Sequence, residues 1–340
     1  MRFTTTPEQD LSRAALRELL RAQCTPSAVR AAWASDNGRV PGLWQRLAEI
    51  GLIGLLAPET VGGAGLSEIE LILLLEETGR AALPEPVVEI AAVAIPLLAA
   101  LTDDERAREL LTRATAGEAI VAVAFEASPY VLGAHEADAF VVERATEIHL
   151  VPRAQVRLTP RISVDRSRRL SCVDFAASAS TRIAHGLVAE RLLAEAFNRA
   201  ALATAAQLVG LGAQLVEITV EFVKTREQFG RPIGAFQAVK HQLVDAHLAL
   251  AFAQPLVQRA AHSLATQDGA SAVHVSSAKA LASEAALLAA RKALQLHGAI
   301  GYSYEHDLQL WMKRIWALAA AFGDAAWHHD RVAKHILGGP

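Results

Sequence analysis

The stretch Arg226-Glu227-Gln228-Phe229-Gly230-Arg231-Pro232-Ile233-Gly234, followed by Phe236-Gln237-Ala238-Val239-Lys240, gathers groups that suit a flat, anionic ligand. Arg226 offers a planar fork of N–H donors that matches a phosphate oxygen pair. Phe229 supplies a flat apolar surface. Gly230 and Pro232 set a turn, and Gln237 adds an amide that both donates and accepts. These parts suit a diphosphate carrying an adenosine-like group. The same residues also read as Arg226 closing a helix end and Phe229 packing in a core, and the stretch alone leaves both open.

A second stretch, Gln295-Leu296-His297-Gly298-Ala299-Ile300-Gly301-Tyr302, ends a helical pattern in a glycine turn. A residue without Cβ lets a ligand approach the backbone closely. His297 inside this turn reads either as a cofactor contact or as a packed, hydrogen-bonded histidine. His328-His329 cannot both face one metal from a helix, because adjacent side chains diverge. No metal is expected. Cys24 and Cys172 are too few for a disulfide framework and lack the spacing of a redox or metal motif.

The elements that must position these residues follow from composition and pattern. The chain is 52% hydrophobic but only 5% aromatic, so Ala, Leu and Val make its core and favour helix. A net charge of −3 gives no electrostatic case for nucleic acid. The start shows no apolar signal segment, and the apolar run from Ile90 to Leu101 is too short for a bilayer. These features predict a cytoplasmic protein without a membrane span. The run Arg166, Arg168, Arg169 reads as a solvated loop.

Residues 7–115 read as helices, with Pro7-Glu8-Gln9-Asp10 as a first turn and Ser67 with Glu70 as a capping box. The loop Gly62-Gly63-Ala64-Gly65 follows no strand and lacks a P-loop lysine, so it reads as a turn. Between 117 and 180 the pattern turns to strands: Ala119–Phe125, Ala139–Val142, Ile148–Val151, Val156–Thr159 and Arg161–Asp165. From Ala189 to Thr225 no proline interrupts one long helix. Further helices are expected over Phe236–Gln267, Ala270–Leu296 and Leu308–Leu337, the last with a break inside.

In this order the chain resembles the acyl-CoA dehydrogenase family. The two stretches above are similar to that family's two flavin-contacting signatures. Gly51-Leu52-Ile53-Gly54, Pro58-Glu59, Gly62–Gly65 and Glu76-Glu77-Thr78-Gly79-Arg80 resemble its amino-terminal helical domain. The resemblance implies a mainly α fold with a small β domain: an N-terminal helical domain (1–116), a reduced β domain (117–185) and a C-terminal four-helix bundle (186–340). It implies FAD as cofactor. In the family the flavin lies between two subunits, and Arg226, Gln228, Phe229, Gln237, Gln295 and Gly298 match the neighbour's contacts to the pyrophosphate and adenosine end.

Departures from the family pattern are equally specific. The reaction needs a carboxylate to take the α-proton of the thioester while the flavin takes hydride from the β-carbon. The resemblance places that carboxylate at Phe322 or at Ala200, and neither residue can accept a proton. Glu190 and Glu195 lie nearby but read as solvated. The region corresponding to the family's Thr-Glu-Pro-x-x-Gly-Ser-Asp stretch reads Ala124-Phe125-Glu126-Ala127-Ser128-Pro129-Tyr130-Val131-Leu132-Gly133 here, and its tryptophan-containing ring-pocket stretch is missing. No catalytic residue is therefore assigned. The expectation is a non-catalytic subunit, resembling the short chains of actinobacterial α2β2 enzymes that oxidise steroid side-chain CoA thioesters, with a catalytic acyl-CoA dehydrogenase partner. A self-sufficient homo-oligomer with a displaced base, and a flavin-free scaffold, are the alternatives.

Overall fold

A computed structural model describes residues 3–338. In chain order the helices of the first third are α1 (Pro7–Gln23), α2 (Pro26–Ala34), α3 (Leu43–Glu49), α4 (Glu68–Arg80), α5 (Ile95–Ala99) and α6 (Glu105–Thr115). A π-helical stretch, Val88–Ala94, leads into α5. Strands β1 (Val121–Ala124), β2 (Val131–Leu132), β3 (Ala139–Arg144), β4 (Glu147–Pro152), β5 (Val156–Arg161), β6 (Leu170–Phe175) and β7 (Arg182–His185) follow. The remainder is α7 (Gly186–Thr225), the hairpin β8 (Glu227–Gln228) and β9 (Arg231–Pro232), α8 (Gln237–Ala265), α9 (Ser271–His297), α10 (Leu308–Ala320) and α11 (Ala325–Leu337).

Contacts divide the chain into two compact units. Among the described residues the first comprises 3–27, Ile72–Leu83 and 204–338; the second comprises Ala28–Leu71 and Pro84–Ala203. In the first unit the carboxy-terminal part of α4 lies against α7 at backbone distance. A Cβ on Gly210 would stand 1.9 Å from the Glu76 carbonyl oxygen, and one on Gly79 2.2 Å from that of Gln207. Beside this crossing the Gln207 amide donates to Thr78 Oγ1 at 2.9 Å. Glu77, 1% exposed, accepts from Arg17 at 2.6 Å and Arg13 at 3.0 Å. Burial opposes its charge, but the two guanidiniums outweigh burial and hold its carboxyl below the usual range.

The α1 start is a capping box in which Thr6 and Gln9 satisfy each other's backbone N–H groups. Ser67 and Glu70 behave as expected on one side: Glu70 accepts the Ser67 N–H at 3.1 Å, while Ser67 Oγ takes the Ile69 N–H at 3.2 Å. α7 is the one helix among the described residues long and apolar enough to cross a membrane, and 72% of its most apolar window is buried inside the fold. Its length there is that of a core helix.

In the second unit two small sheets share a core. Their strand orders are β1-β3-β4-β7, with β1 and β3 parallel, and β2-β6-β5, all antiparallel. Phe140, Val142 and Val151 from the first meet Val131 and Val156 from the second. Pro160 is tolerated because β5 is an edge strand. The expected strand Arg161–Asp165 does not form. The ladder ends at Arg161, Ile162 is fully exposed, and Asp165 instead accepts the Ser167 N–H at 3.1 Å in a tight turn. β6, β2 and β7 were not legible in the pattern. The basic run is also not a solvated loop. Arg168 is buried near Glu89, at 3.9 Å, and Arg169 donates to the carbonyls of Trp33 and Ser35. Only Arg166 of the three is exposed.

Candidate functional site

The first stretch forms a two-residue β-hairpin at the end of α7. The Arg226 N–H closes the helix on the Phe222 carbonyl at 2.9 Å, and the Ile233 N–H returns to the Arg226 carbonyl at 2.8 Å. Both central residues have positive φ, +56° at Phe229 and +77° at Gly230. That is the twist a two-residue loop needs to match its strands, and it ordinarily selects Asn, Asp or Gly. A phenylalanine held there is unfavourable, yet its ring is 91% exposed. Phe229 is therefore not core. It stands edge-on to Phe236, with ring centres 6.0 Å apart, and the Arg231 guanidinium sits 4.3 Å over the Phe236 ring.

Arg226, Gln228 and Gln237 are exposed, and their side chains make no hydrogen bond or ion pair among the described residues. Arg226 closes α7 through its backbone, while its guanidinium stays free. Gln237 opens α8, whose N-cap Phe236 offers no side-chain acceptor, so the first N–H groups of a 29-residue helix lack a side-chain cap. Free N–H groups and the helix dipole both favour an anion there.

The second stretch ends α9. Gly298 adopts φ +62° and ψ −141° at its C-cap, a conformation that suits glycine, and has open space where a Cβ would be. Gln295 is exposed on the last turn of the helix. His297 takes the packed role. It is 5% exposed, stacks on Phe222 at 4.2 Å and shares a hydrogen bond between Nδ1 and the Ala293 carbonyl at 2.8 Å. Burial lowers its pKa. This stack joins the end of α9 to the end of α7, so the glycine turn and the hairpin base spring from contacting helix ends.

The two positions of interest for a base carry none. Ala200 is fully buried in α7. Phe322 lies half-buried between α10 and α11 with φ +53°. Glu190 is exposed, and Glu195 is paired with Arg191 at 3.4 Å and Arg199 at 3.8 Å. Among the described residues no group of three or more His, Cys, Asp or Glu could hold a metal ion. A cleft of about 660 Å³ lies elsewhere in the first unit, walled by α1, α4, α7 and α10, but its Arg17 and Arg80 are already paired with Glu77 and Glu217 at 2.6 Å each.

One notable group escaped the sequence reading. Lys279 in α9 is fully buried, and burial pushes its pKa down to about 7 against the opposing pull of Asp324. A lone lysine at helical spacing with Val275, Ala282 and Ala286 was the available signal. His328, also fully buried, is pushed down to about 4 by burial and by Lys279.

The comparisons with known proteins agree with this architecture. Residues 6–118 match the family model for the acyl-CoA dehydrogenase N-terminal domain, and residues 191–337 match that for the C-terminal domain. The chain is 34% identical over 313 residues to acyl-CoA dehydrogenase IpdE2 of Mycobacterium tuberculosis, covering 92% of each protein. A solved Tcur3481-Tcur3483 steroid ACAD is 25% identical with a TM-score of 0.86, covering 98% of both chains. The ChsE4-ChsE5 complex from Mycobacterium tuberculosis shares the fold, with a TM-score of 0.86 at 22% identity over the full length of both. The chain belongs to the acyl-CoA dehydrogenase family, whose members are FAD-dependent oxidoreductases.

Proposed function

We propose that this chain is the subunit of a heteromeric acyl-CoA dehydrogenase that lacks the base and lends FAD contacts to a partner chain's site. The observation that carries this reading is the pairing of a free, exposed ligand hairpin with Phe322 and Ala200 at both base positions. The three-part division at 116 and 185 goes with it. The relative's name supports a CoA thioester as substrate, the steroid ACAD among the solved structures supports one carried on a steroid's side chain, and the paired names of two solved structures support a partner acyl-CoA dehydrogenase chain.

The residues present fit FAD. A free guanidinium at Arg226 suits the pyrophosphate, and the exposed Phe229 ring suits the face of an adenine. Gln228, Gln237 and Gln295 offer amides to the ribose and phosphate region, and Gly298 leaves backbone open to approach. Bound FAD supplies the hydride acceptor for α,β-dehydrogenation. The proton-accepting carboxylate must come from the partner.

Co-expression with candidate acyl-CoA dehydrogenase chains that retain the carboxylate tests this. Alone, the chain should purify without stoichiometric flavin and without activity. With its partner it should form a complex that holds FAD and oxidises a CoA thioester. Stoichiometric FAD and thioester oxidation by the lone chain would refute the reading.

A further inference from the structure

The corner between α10 and α11, Ala321–Asp324, is held from two sides. A helix end leaves its last carbonyls without partners. Here Lys279 Nζ, from the middle of α9, donates to the Ala319 carbonyl at 3.2 Å and the Gly323 carbonyl at 3.0 Å, and it lies 3.1 Å from Ser283 Oγ. His328 Nε2, from α11, donates to the Phe322 carbonyl at 3.0 Å. The Asp324 carboxylate accepts the Trp327 N–H at 2.9 Å and so starts α11. Between these ties Phe322 takes φ +53° and Gly323 φ +90°. A Cβ on Gly323 would lie 2.7 Å from the Trp327 ring and 2.9 Å from His328 Nε2.

A left-handed aromatic residue is unfavourable, and one inside a packed corner needs its surroundings to hold it. A fully buried lysine is equally uncommon, and an ordinary helix end needs only water or a glycine cap. Both features meet at one corner. We propose that Lys279 is the positioning residue of this corner: by tying the carbonyls of Ala319 and Gly323 it fixes residue 322 in its left-handed conformation and sets how position 322 is presented. This deepens the reading above, which takes position 322 as a base position of the family, although the corner's geometry needs no partner chain.

The charged and titratable groups around the corner are few. Lys279 and Glu284 come from α9, Asp324 from the corner, and His328, His329 and Arg331 from α11. Glu284 and His329 pair with each other at 2.9 Å, and Arg331 sits 5.5 Å from the Trp327 ring with Nη1 3.4 Å from Ser276 Oγ. Lys279 is satisfied in either charge state. As a neutral amine it donates to both carbonyls while its lone pair accepts the Ser283 hydroxyl; as an ammonium it donates to all three oxygens.

Trp327 reports on the corner, since its ring stands edge-on to His328 with centres 4.8 Å apart. The full-length chain, with its five tryptophans replaced by 5-fluorotryptophan, gives one 19F resonance for each. Trp327→Phe assigns the one in question. In Lys279→Met the Trp327 resonance should move while the other four stay. Amides of the first turn of α11 should exchange at least tenfold faster. Lys279→Gln, which keeps neutral N–H donors, should fall between Met and the native chain. If Lys279→Met does not fold, Lys279→Gln carries the same comparison with the native chain. A native Trp327 resonance and native exchange in either folded variant would overturn the role given to Lys279. Neither readout depends on FAD or on a partner, so failure here is distinct from failure of the proposed function.

Discussion

Replacing Arg226 with alanine separates a ligand contact from a helix end. The Arg226 guanidinium is exposed and makes no ion pair among the described residues, so its removal should leave stability within about 0.5 kcal/mol. Its backbone N–H, which closes α7 on Phe222, is unchanged by the substitution. A hydrogen bond to a charged phosphate contributes roughly 1.5–3 kcal/mol, and about 1.4 kcal/mol is a tenfold change in affinity. FAD should therefore bind the assembled complex roughly ten- to a hundredfold more weakly. Arg226→Lys keeps the charge but loses the planar fork, and should fall between the two. The assay is a titration of flavin-stripped complex with FAD, followed by flavin fluorescence, with subunit composition checked by light scattering. The weakening should shrink as salt rises, because an exposed contact is screened. Unchanged FAD affinity in an intact complex would show that Arg226 ends a helix and does nothing more.

Four further outcomes follow from the same geometry. Phe229→Gly should relieve a left-handed residue and stabilise the hairpin by about 1 kcal/mol, while weakening FAD binding through loss of the ring; a fall in stability with FAD binding unchanged would mean that the ring packs rather than binds. Glu190→Gln and Glu195→Gln should leave turnover of the complex within a fewfold, and a loss on the order of a thousandfold with FAD still bound would place a base on this chain. Gly210→Ala drives a methyl into the Glu76 carbonyl and should cost roughly 1–3 kcal/mol, seen as a lower Tm, whereas Gly269→Ala, with open space around it, serves as the neutral control. The fourth concerns pH. Lys279 has a folded pKa of about 7, below its unfolded 10.5, so between those values the unfolded chain holds one more proton and stability rises with pH, by at most about 1.4 kcal/mol per unit. His328, at about 4 against 6.5, withdraws stability in the same sense as pH falls below 6.5. Thermal unfolding should show Lys279→Met gaining on the native chain toward pH 6 and losing ground toward pH 9, and a pH-independent difference would contradict a buried, titrating lysine.

The sequence by itself determined the helical frame and the place of the two stretches that resemble family signatures. Uninterrupted Ala- and Leu-rich segments fixed α7, α8 and α9 to within three residues at each end, because helix propensity and breakers such as Gly298 act locally. The family order of Arg226, Phe229, Gln237, Gln295 and Gly298 is likewise a property of the chain. Strand pairing is not local, so β2, β6 and β7 were invisible, and the apparent alternation at Arg161–Asp165 lost to the Asp165 turn. Only the tertiary structure decided that Phe229 stands exposed in a strained turn, that His297 packs on Phe222, and that Arg169 serves the Trp33 and Ser35 carbonyls. It alone brought Lys279 within reach of carbonyls forty and forty-four positions away. Side-chain type limits what a residue can bond to, but which partners it meets depends on the packing of helices that sequence patterns describe one at a time.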